Sequence, residues 1–148
     1  MITIKQENIL NCDEDIIVHQ VNTQGIMGGG VARQLADRFK GLEKNYSEYC
    51  RRHNNRYIDL STDIYYYQAN NKIIANMFSQ KENFDTDYLN MEIALEYLKA
   101  FAQKNNLSIA TPYGIGCGIA NGDWNKVYKI IEKVFEDYSI TLYKLSEE

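Results

Sequence analysis

The stretch that decides the fold is DIIVHQVNTQGIMGGGVARQLADRF, residues 15–39. Its first six residues, DIIVHQ, have the apolar β-branched centre of a strand buried inside a sheet. Its last part carries Val31, Leu35 and Phe39 at i, i+4 and i+8, which is the spacing of one helix face. Between the two lie three consecutive glycines, Gly28 to Gly30, although the whole chain has only nine. The stretch predicts a strand, a glycine loop and a helix in direct succession.

The composition is that of a globular protein and predicts one domain over residues 1–148. Hydrophobic residues make up 45% of the chain and charged residues 24%, which are ordinary values for a folded domain. The net charge is −4, whereas proteins that coat nucleic acid usually present a basic stripe. The basic residues clustered in residues 51–56 are therefore interpreted as a solvated helix end.

The three cysteines, Cys12, Cys50 and Cys117, form no CxxC pair. Neither a disulfide framework nor a zinc site is indicated, and we interpret all three as packing residues. The N-terminus lacks the basic and apolar blocks of a signal peptide, and no run of about 18 apolar residues exists. We therefore expect a protein of the reducing cytoplasm that has no membrane partner.

The remaining pattern predicts alternating strands and helices. Further strands are predicted at residues 2–4, 62–68, 72–78, 107–111 and 139–145, and further helices at residues 42–53, 85–105 and 124–135. The stripe expected to face the core from the longest helix is Leu89, Ile93, Tyr97, Ala100 and Phe101. Residues 68–71 predict a hairpin turn, and Asp123 predicts a helix N-cap. Strands separated by helices imply crossovers, and hence a largely parallel sheet with helices on both faces.

A second glycine loop, PYGIGCGIANGDW at residues 112–124, follows the predicted strand LSIAT. Ligands of parallel α/β sheets bind beyond the carboxyl ends of the strands, where both loops are expected. A glycine loop that opens a helix offers unsatisfied N–H groups to an anion, and two such loops suit a diphosphate. Neither loop matches the dinucleotide-binding or P-loop pattern. The alternative interpretation is a pair of tight turns that allow close packing of helix on sheet.

Three stretches together resemble the macrodomain family of ADP-ribose-binding modules. VHQVNTQGIMGGGVARQL resembles the first binding loop of the family, IATPYGIGCGIANGDW the second, and IANMFSQ the central strand, while ITLYKL fits the closing strand. The resemblance covers essentially the whole chain in order. It implies a three-layer α/β/α fold with a mixed, mostly parallel central sheet and a cleft for ADP-ribose. Small stand-alone macrodomains, which include ADP-ribose-1''-phosphate phosphatases and enzymes that remove terminal ADP-ribose, look most similar.

The resemblance also implies the site residues. Asn8, Ile9 and Tyr143 would lie by the adenine, and Asn22 would face the distal ribose. The two loops would hold the distal ribose and the diphosphate through Gly28, Gly29, Gly30, Val31, Gly114, Ile115, Gly116, Cys117, Gly118 and Ile119. His19 resembles a strand histidine implicated in the phosphatase-type members. Three roles are open to His19: a general base, a group that orients Asn22, or a hydrogen-bonded core residue.

Three positions depart from the hydrolase members of the family. Gly25 stands where many of them carry a second asparagine, and Ala120 stands where the terminal ADP-ribose glycohydrolases carry an aspartate. Their lysine falls near Ser79 or Gln80, one residue before Lys81. A covalent lysine–aspartate mechanism is therefore not expected.

From these features we expect a protein that binds ADP-ribose and hydrolyses an ADP-ribose derivative at the distal ribose. Catalysis is assigned to His19 and Asn22, either as a phosphatase or as a de-ADP-ribosylating hydrolase. The alternative is a reader module that binds without turnover. No metal or other cofactor is implied, nucleic acid is expected only as an ADP-ribosylated substrate, and we expect a monomer.

Overall fold

The computed structural model describes residues 1–118 and 120–145. The strands are β1 (Ile2–Gln6), β2 (Ile16–Val21), β3 (Ile64–Ala69), β4 (Lys72–Phe78), β5 (Ile109–Pro112) and β6 (Ile140–Lys144). The helices are α1 (Gly30–Arg38), α2 (Leu42–Arg52), the single turn α3 (Tyr57–Leu60), α4 (Tyr88–Asn105) and α5 (Trp124–Val134), and a 3-10 turn spans Ile9–Asn11. The predicted succession of strand, glycine loop and helix is confirmed.

The described strands form one six-stranded sheet in the order β1-β6-β5-β2-β4-β3. Strand β3 runs antiparallel to β4, and every other pair is parallel. The antiparallel pair is the predicted hairpin, and its turn contains Asn70 with a φ of 53°, a left-handed conformation that asparagine tolerates. The predicted mixed, mostly parallel sheet is confirmed.

Helices cover both faces of the sheet, as a three-layer α/β/α fold requires. Because side chains alternate along β2, Ile17 packs into the core beneath α1 and α2, whereas Ile16 packs into the core beneath α4 and α5. Leu35 and Tyr46 close the first core, and Leu98 and Ile131 close the second. The buried side chains of the two cores hold the ends of the strands in fixed positions relative to the helices.

Helix α4 presents a different face to the core from the one predicted. Leu89 and Tyr97 are 70% and 61% exposed. The buried residues of the helix are Met91, Ala94, Leu95, Leu98 and Ala102. Of the predicted stripe, Phe101 does pack against this core, whereas Leu89 and Tyr97 do not. The helix is apolar on two sides, so the i, i+4 spacing alone selected most of the wrong side. Its start also differs, because Asp87 caps the helix by accepting a hydrogen bond from the Asn90 N–H at 3.1 Å, which excludes residues 85–86.

The order of the strands places β5 directly beside β2. These two strands precede the second and the first glycine loop, so both loops emerge from neighbouring strands at the same edge of the sheet. This edge is the crevice where ligands of such sheets bind. Among the described residues, none of the helices combines the length and the apolar character that a membrane crossing needs.

Candidate binding and catalytic site

The first glycine loop leaves the start of α1 open. Gly29 is the N-cap residue and has no side chain with which to cap the helix, so the N–H groups of the first turn have no side-chain acceptor from that position. A Cβ built on Gly29 or Gly30 would meet no atom within 4 Å. Gly30 also has a φ of 58°, in the left-handed region that favours glycine. The helix start therefore faces open space with its donors and its positive dipole end exposed.

Side chains from α2 hold the first loop in place. The Met27 N–H donates to a carboxylate oxygen of Glu43 at 3.0 Å, and Met27 itself is fully buried. Glu43 is fixed in turn by Arg33, whose guanidinium lies 3.3 Å from its other oxygen. The loop is thus a rigid arch with its glycines at the open side.

Asn22 stands at the base of this arch with both ends of its carboxamide engaged. The Nδ2 amide donates to the Ile26 carbonyl at 3.0 Å, and Oδ1 accepts from the Gln24 N–H at 2.9 Å. The hydroxyl of the buried Tyr46 also lies 2.9 Å from Oδ1. One Nδ2 hydrogen remains for a ligand, because an amide carries two. The contact of Tyr46 with Asn22 was not predicted, because the two residues are 24 positions apart in the chain.

The second loop is folded by its glycines. Gly114 and Gly116 have φ angles of 81° and 77°, which other residues rarely adopt. A Cβ on Gly122 would lie 2.3 Å from the Gly116 carbonyl oxygen, which accepts the Gly122 N–H at 2.9 Å. The Thr86 hydroxyl donates to the same oxygen at 2.6 Å. Gly122 and Thr86 were not singled out from the sequence, because their partners come from other turns of the chain.

Two further members of the second loop point inward. Ile115 is buried in the core beneath α4 and α5, and its N–H donates to the Pro112 carbonyl at 3.2 Å. The Cys117 N–H likewise donates to the Gly114 carbonyl at 3.0 Å, so neither residue offers an unengaged N–H to a ligand. Cys117 packs against the same core, and burial raises the pKa of its thiol to about 11, with the nearby Asp123 adding to the shift. The thiol therefore stays protonated, which agrees with a packing role rather than a nucleophilic one. The predicted contact at Ile119 lies outside the described residues.

A cleft of about 280 Å³ opens beside the two loops. Four of the predicted ligand-binding residues line it: Asn8, Ile9, Val31 and Tyr143. It is also lined by Glu7, Gln34, Pro112, Tyr113, Lys144 and Leu145, which the sequence did not single out. These residues could not be grouped from the sequence, because β1 and β6 are neighbours in the sheet but lie at opposite ends of the chain.

Asn8 and Tyr143, which both line the cleft, are held in place by hydrogen bonds. Asn8 caps the 3-10 turn, and its Oδ1 accepts from the Leu10 N–H at 3.0 Å, which leaves its NH₂ group without a protein acceptor in the described chain. The Tyr143 hydroxyl donates to Glu14 at 2.6 Å, and burial raises the pKa of Tyr143. Tyr143 and Ile9 are almost fully buried, so they form a firm apolar wall beside the polar amide.

His19 lies inside the protein and does not line the cleft. The side chain is 2% exposed, and its Nε2 lies 2.7 Å from Oδ1 of Asn76 on the neighbouring strand β4. The Asn76 amide donates to the Tyr65 carbonyl at 2.9 Å, which orients Oδ1 toward the imidazole. Nε2 therefore carries the proton, and the buried Nδ1 is an acceptor with no partner among the described residues. Burial lowers the pKa of His19 to about 4 and outweighs the hydrogen bond to Asn76, so the ring is neutral at physiological pH.

Comparison with known proteins identifies the family of this fold. The Macro domain family model matches residues 18–131, which include both glycine loops and the strand between them. The chain belongs to the macrodomain family. The described residues contain no cluster of three or more His, Cys, Asp or Glu that could hold a metal ion.

Relatives and neighbours of known structure agree with this assignment. The macrodomain is 26% identical to the ADP-ribose glycohydrolase OARD1 of Bos taurus, over 97% of this chain and 91% of that protein. It is also 26% identical to the ADP-ribose 1''-phosphate phosphatase of Saccharomyces cerevisiae, over 88% of this chain and 89% of that one. The macrodomain of Mycobacterium tuberculosis DarG superposes with a TM-score of 0.85 at 24% identity, covering 99% of both chains. The three-layer macrodomain fold predicted from the sequence is confirmed.

The structure gives a physical reason for one departure from the hydrolase pattern. Gly25 has a φ of 79°, and a Cβ there would lie 3.1 Å from Cα of Ser47 on α2. The Ser47 hydroxyl donates to the Gly25 carbonyl and holds the loop against the helix. An asparagine at this position would have to push α2 away from the arch.

The other departures concern the aspartate and lysine positions. Ala120 is 6% exposed, and its carbonyl accepts the Thr86 N–H at 3.0 Å. Ser79 and Gln80 are buried, and the Gln80 amide donates to the Phe84 carbonyl at 2.8 Å. None of these side chains provides a carboxylate or an amine at the positions where the glycohydrolases carry them.

Proposed function

We propose that this macrodomain binds ADP-ribose, with the adenosine in the cleft and the diphosphate between the two glycine loops. One observation carries the proposal: two glycine loops emerge from adjacent parallel strands, one of them at the open start of α1, beside a cleft walled by Ile9 and Tyr143. Oriented backbone N–H groups bind phosphate oxygens, and the dipole at the start of α1 adds to the attraction. The apolar wall suits the base, and the Asn8 amide offers it a hydrogen-bond donor.

We further propose that the protein hydrolyses an ADP-ribose derivative at the distal ribose. Two relatives carry names for such reactions, one a glycohydrolase and the other a 1''-phosphate phosphatase. In this proposal an Nδ2 hydrogen of Asn22 orients a ribose hydroxyl. Because His19 is buried and does not line the cleft, it serves as general base only if ligand binding brings the attacking water to its unprotonated Nδ1. Catalysis then rests on positioning and on the electrostatic field of the loops.

A second candidate is a reader module that binds ADP-ribose without turnover. It is favoured by the burial of His19, which separates the ring from the cleft, and by Ala120 in place of a carboxylate. Under this proposal His19 is the hydrogen-bonded core residue that the sequence left open, and Asn22 serves only to shape the arch and contact the ribose.

Calorimetry with ADP-ribose tests the binding proposal, and two turnover assays separate the two candidates. The protein is incubated with ADP-ribose-1''-phosphate and, separately, with ADP-ribosylated protein, and released phosphate or ADP-ribose is measured. Release of either product supports the hydrolase and identifies its class. Binding without either product supports the reader, and an absence of binding contradicts both.

Gly29 offers a matched pair of variants for the first loop. Its φ of −159° suits any residue and a Cβ meets nothing, so Gly29→Ala and Gly29→Glu are both expected to fold like the parent. Gly29→Glu would place a carboxylate among the donors and is expected to abolish ADP-ribose binding, whereas Gly29→Ala is expected to weaken it less. Unchanged affinity in Gly29→Glu would show that the first loop is not part of the site.

A further inference from the structure

Lys144 brings a cation to the end of the cleft that is walled by Ile9 and Tyr143. Among the described residues that line this cleft, Lys144 is the only lysine or arginine. Its Nζ lies 4.6 Å from the centroid of the Tyr113 ring, within the range of a cation–π contact. Lys144 is the last residue of β6 and follows Tyr143, so the two side chains lie on opposite faces of the sheet and the cleft runs across its edge.

Tyr113 is a fixed platform for this cation. Its ring packs on Trp124 with the centroids 4.7 Å apart, and its N–H donates to the Tyr143 carbonyl at 2.9 Å. Trp124 is itself the first residue of α5 and packs edge-on against Tyr128. The Tyr113 ring is therefore held in place by Trp124 and by its own main chain, and the ammonium group of Lys144 rests against this fixed ring.

The charge of Lys144 has no carboxylate partner in the part of the chain that the structure describes. Glu7 lines the same cleft but makes no ion pair with it. Elsewhere on the surface, Lys99 pairs with Asp137 at 2.9 Å and Lys133 pairs with Glu92 at 2.8 Å. Within the described residues, this cation is held by an aromatic ring inside the cleft with no carboxylate against it, which is the arrangement that an anionic ligand would fit.

We propose that Lys144 recognises a phosphate ester on the ribose next to the base, so that the cleft prefers ADP-ribose phosphorylated on its adenosine ribose over ADP-ribose itself. This inference rests on the proposed binding of ADP-ribose. The two glycine loops serve the diphosphate, and the wall formed by Ile9 and Tyr143 serves the base. The ribose that adjoins the base carries two hydroxyls, and a phosphate on either one adds an anion that the ammonium group of Lys144 can bind. An ammonium–phosphate contact is a charge-assisted hydrogen bond, stronger than the cation–π contact that it replaces.

Calorimetry with three ligands tests this proposal: ADP-ribose, ADP-ribose 2'-phosphate and ADP-ribose 3'-phosphate. The parent protein is expected to bind at least one phosphorylated ligand about tenfold more tightly than ADP-ribose. The isomer with the higher affinity shows which ribose hydroxyl carries the phosphate that Lys144 binds. Lys144→Gln is expected to abolish this preference, so that it binds all three ligands with similar affinity, and Lys144→Arg is expected to retain it. The preference should also shrink as the salt concentration rises.

Lys126→Gln is the matched control. The Lys126 Nζ lies 5.3 Å from the centroid of the Tyr88 ring, in a similar cation–π contact that is not part of the cleft, and this variant is expected to behave like the parent. Equal affinity of the parent for all three ligands would overturn the inference while leaving the proposed function intact. An equal loss of affinity for all three ligands in Lys144→Gln would also overturn the inference, because Lys144 would then be contacting a part that the ligands share, such as the diphosphate. If no ligand binds, both proposals are wrong.

Discussion

Acidification should destabilise this protein through one buried side chain, His19. An ordinary histidine in the unfolded chain has a pKa of about 6.5, whereas burial lowers the pKa of His19 to about 4 in the folded protein. Between these two values the unfolded chain binds more protons than the folded one. The free energy of unfolding therefore falls as the pH falls through this window, and the neutral ring contributes its full stability only above it.

The magnitude follows from the two pKa values. With a folded value of about 4 and an unfolded value of about 6.5, the linkage relation gives a loss of about 2.5 kcal/mol between pH 7.5 and about pH 4.5. This is a large part of the stability of an ordinary domain, which is about 5–15 kcal/mol. Carboxylates that titrate in the same range add their own effect, so the His19 share has to be isolated by a variant.

The assay is urea unfolding of the parent and of His19→Gln at both pH values. Glutamine keeps a donor for the Asn76 Oδ1 but has no titratable group, so it is expected to lose about 2.5 kcal/mol less than the parent on acidification. The comparison uses the change with pH, so a general cost of the substitution cancels. Identical pH dependence in the two proteins would refute the burial of a neutral imidazole. If His19 is also the base in hydrolysis, the rate should show no step near pH 6.5.

The remaining predictions concern the loops and their supports. Gly122→Ala would place a methyl group 2.3 Å from the Gly116 carbonyl oxygen, so we expect at least a tenfold loss of ADP-ribose affinity in calorimetry and a loss of stability of about 1–3 kcal/mol. Tyr46→Phe removes the hydroxyl beside Asn22 and keeps the ring, so it should lower the free energy of unfolding by about 1 kcal/mol and weaken binding several-fold. Asp123→Ala removes the N-cap of α5 and should cost about 1 kcal/mol in urea unfolding while leaving the affinity unchanged; a matching loss of affinity would contradict a purely capping role.

The sequence predicted the elements of the fold well where the pattern had one solution. Strand β2 begins with the apolar β-branched run Ile16–Val18 and lies inside the sheet between β5 and β4, and α5 has one clear apolar face, which is the face it buries. Helix α4 was predicted in the right place with the wrong face toward the core. It carries apolar residues on two sides, and the choice between Leu89 and Met91 was made by packing against the sheet, which no local spacing encodes.

The glycine loops of the candidate site could be located from the sequence, whereas the surroundings of His19 could not. The glycines of both loops follow strand ends, so their place at the edge of the sheet could be read from the order of the elements. His19 could not be placed in the same way, because the groups that bury it come from other strands. Its partner Asn76 is 57 residues away in the chain, and its pKa depends on the surrounding core rather than on its neighbours in sequence.

The sequence by itself determined the family, the alternation of strands and helices, and the two glycine loops. These features depend on backbone conformation and on apolar spacing, which are set by residues close together in the chain. Only the tertiary structure decided that β5 lies beside β2 and so brings the two loops together, that His19 is neutral with no Nδ1 partner among the described residues, and that Lys144 rests on Tyr113. Burial, charge and proton affinity depend on which distant groups come into contact, so they are fixed by the packed sheet and its helices.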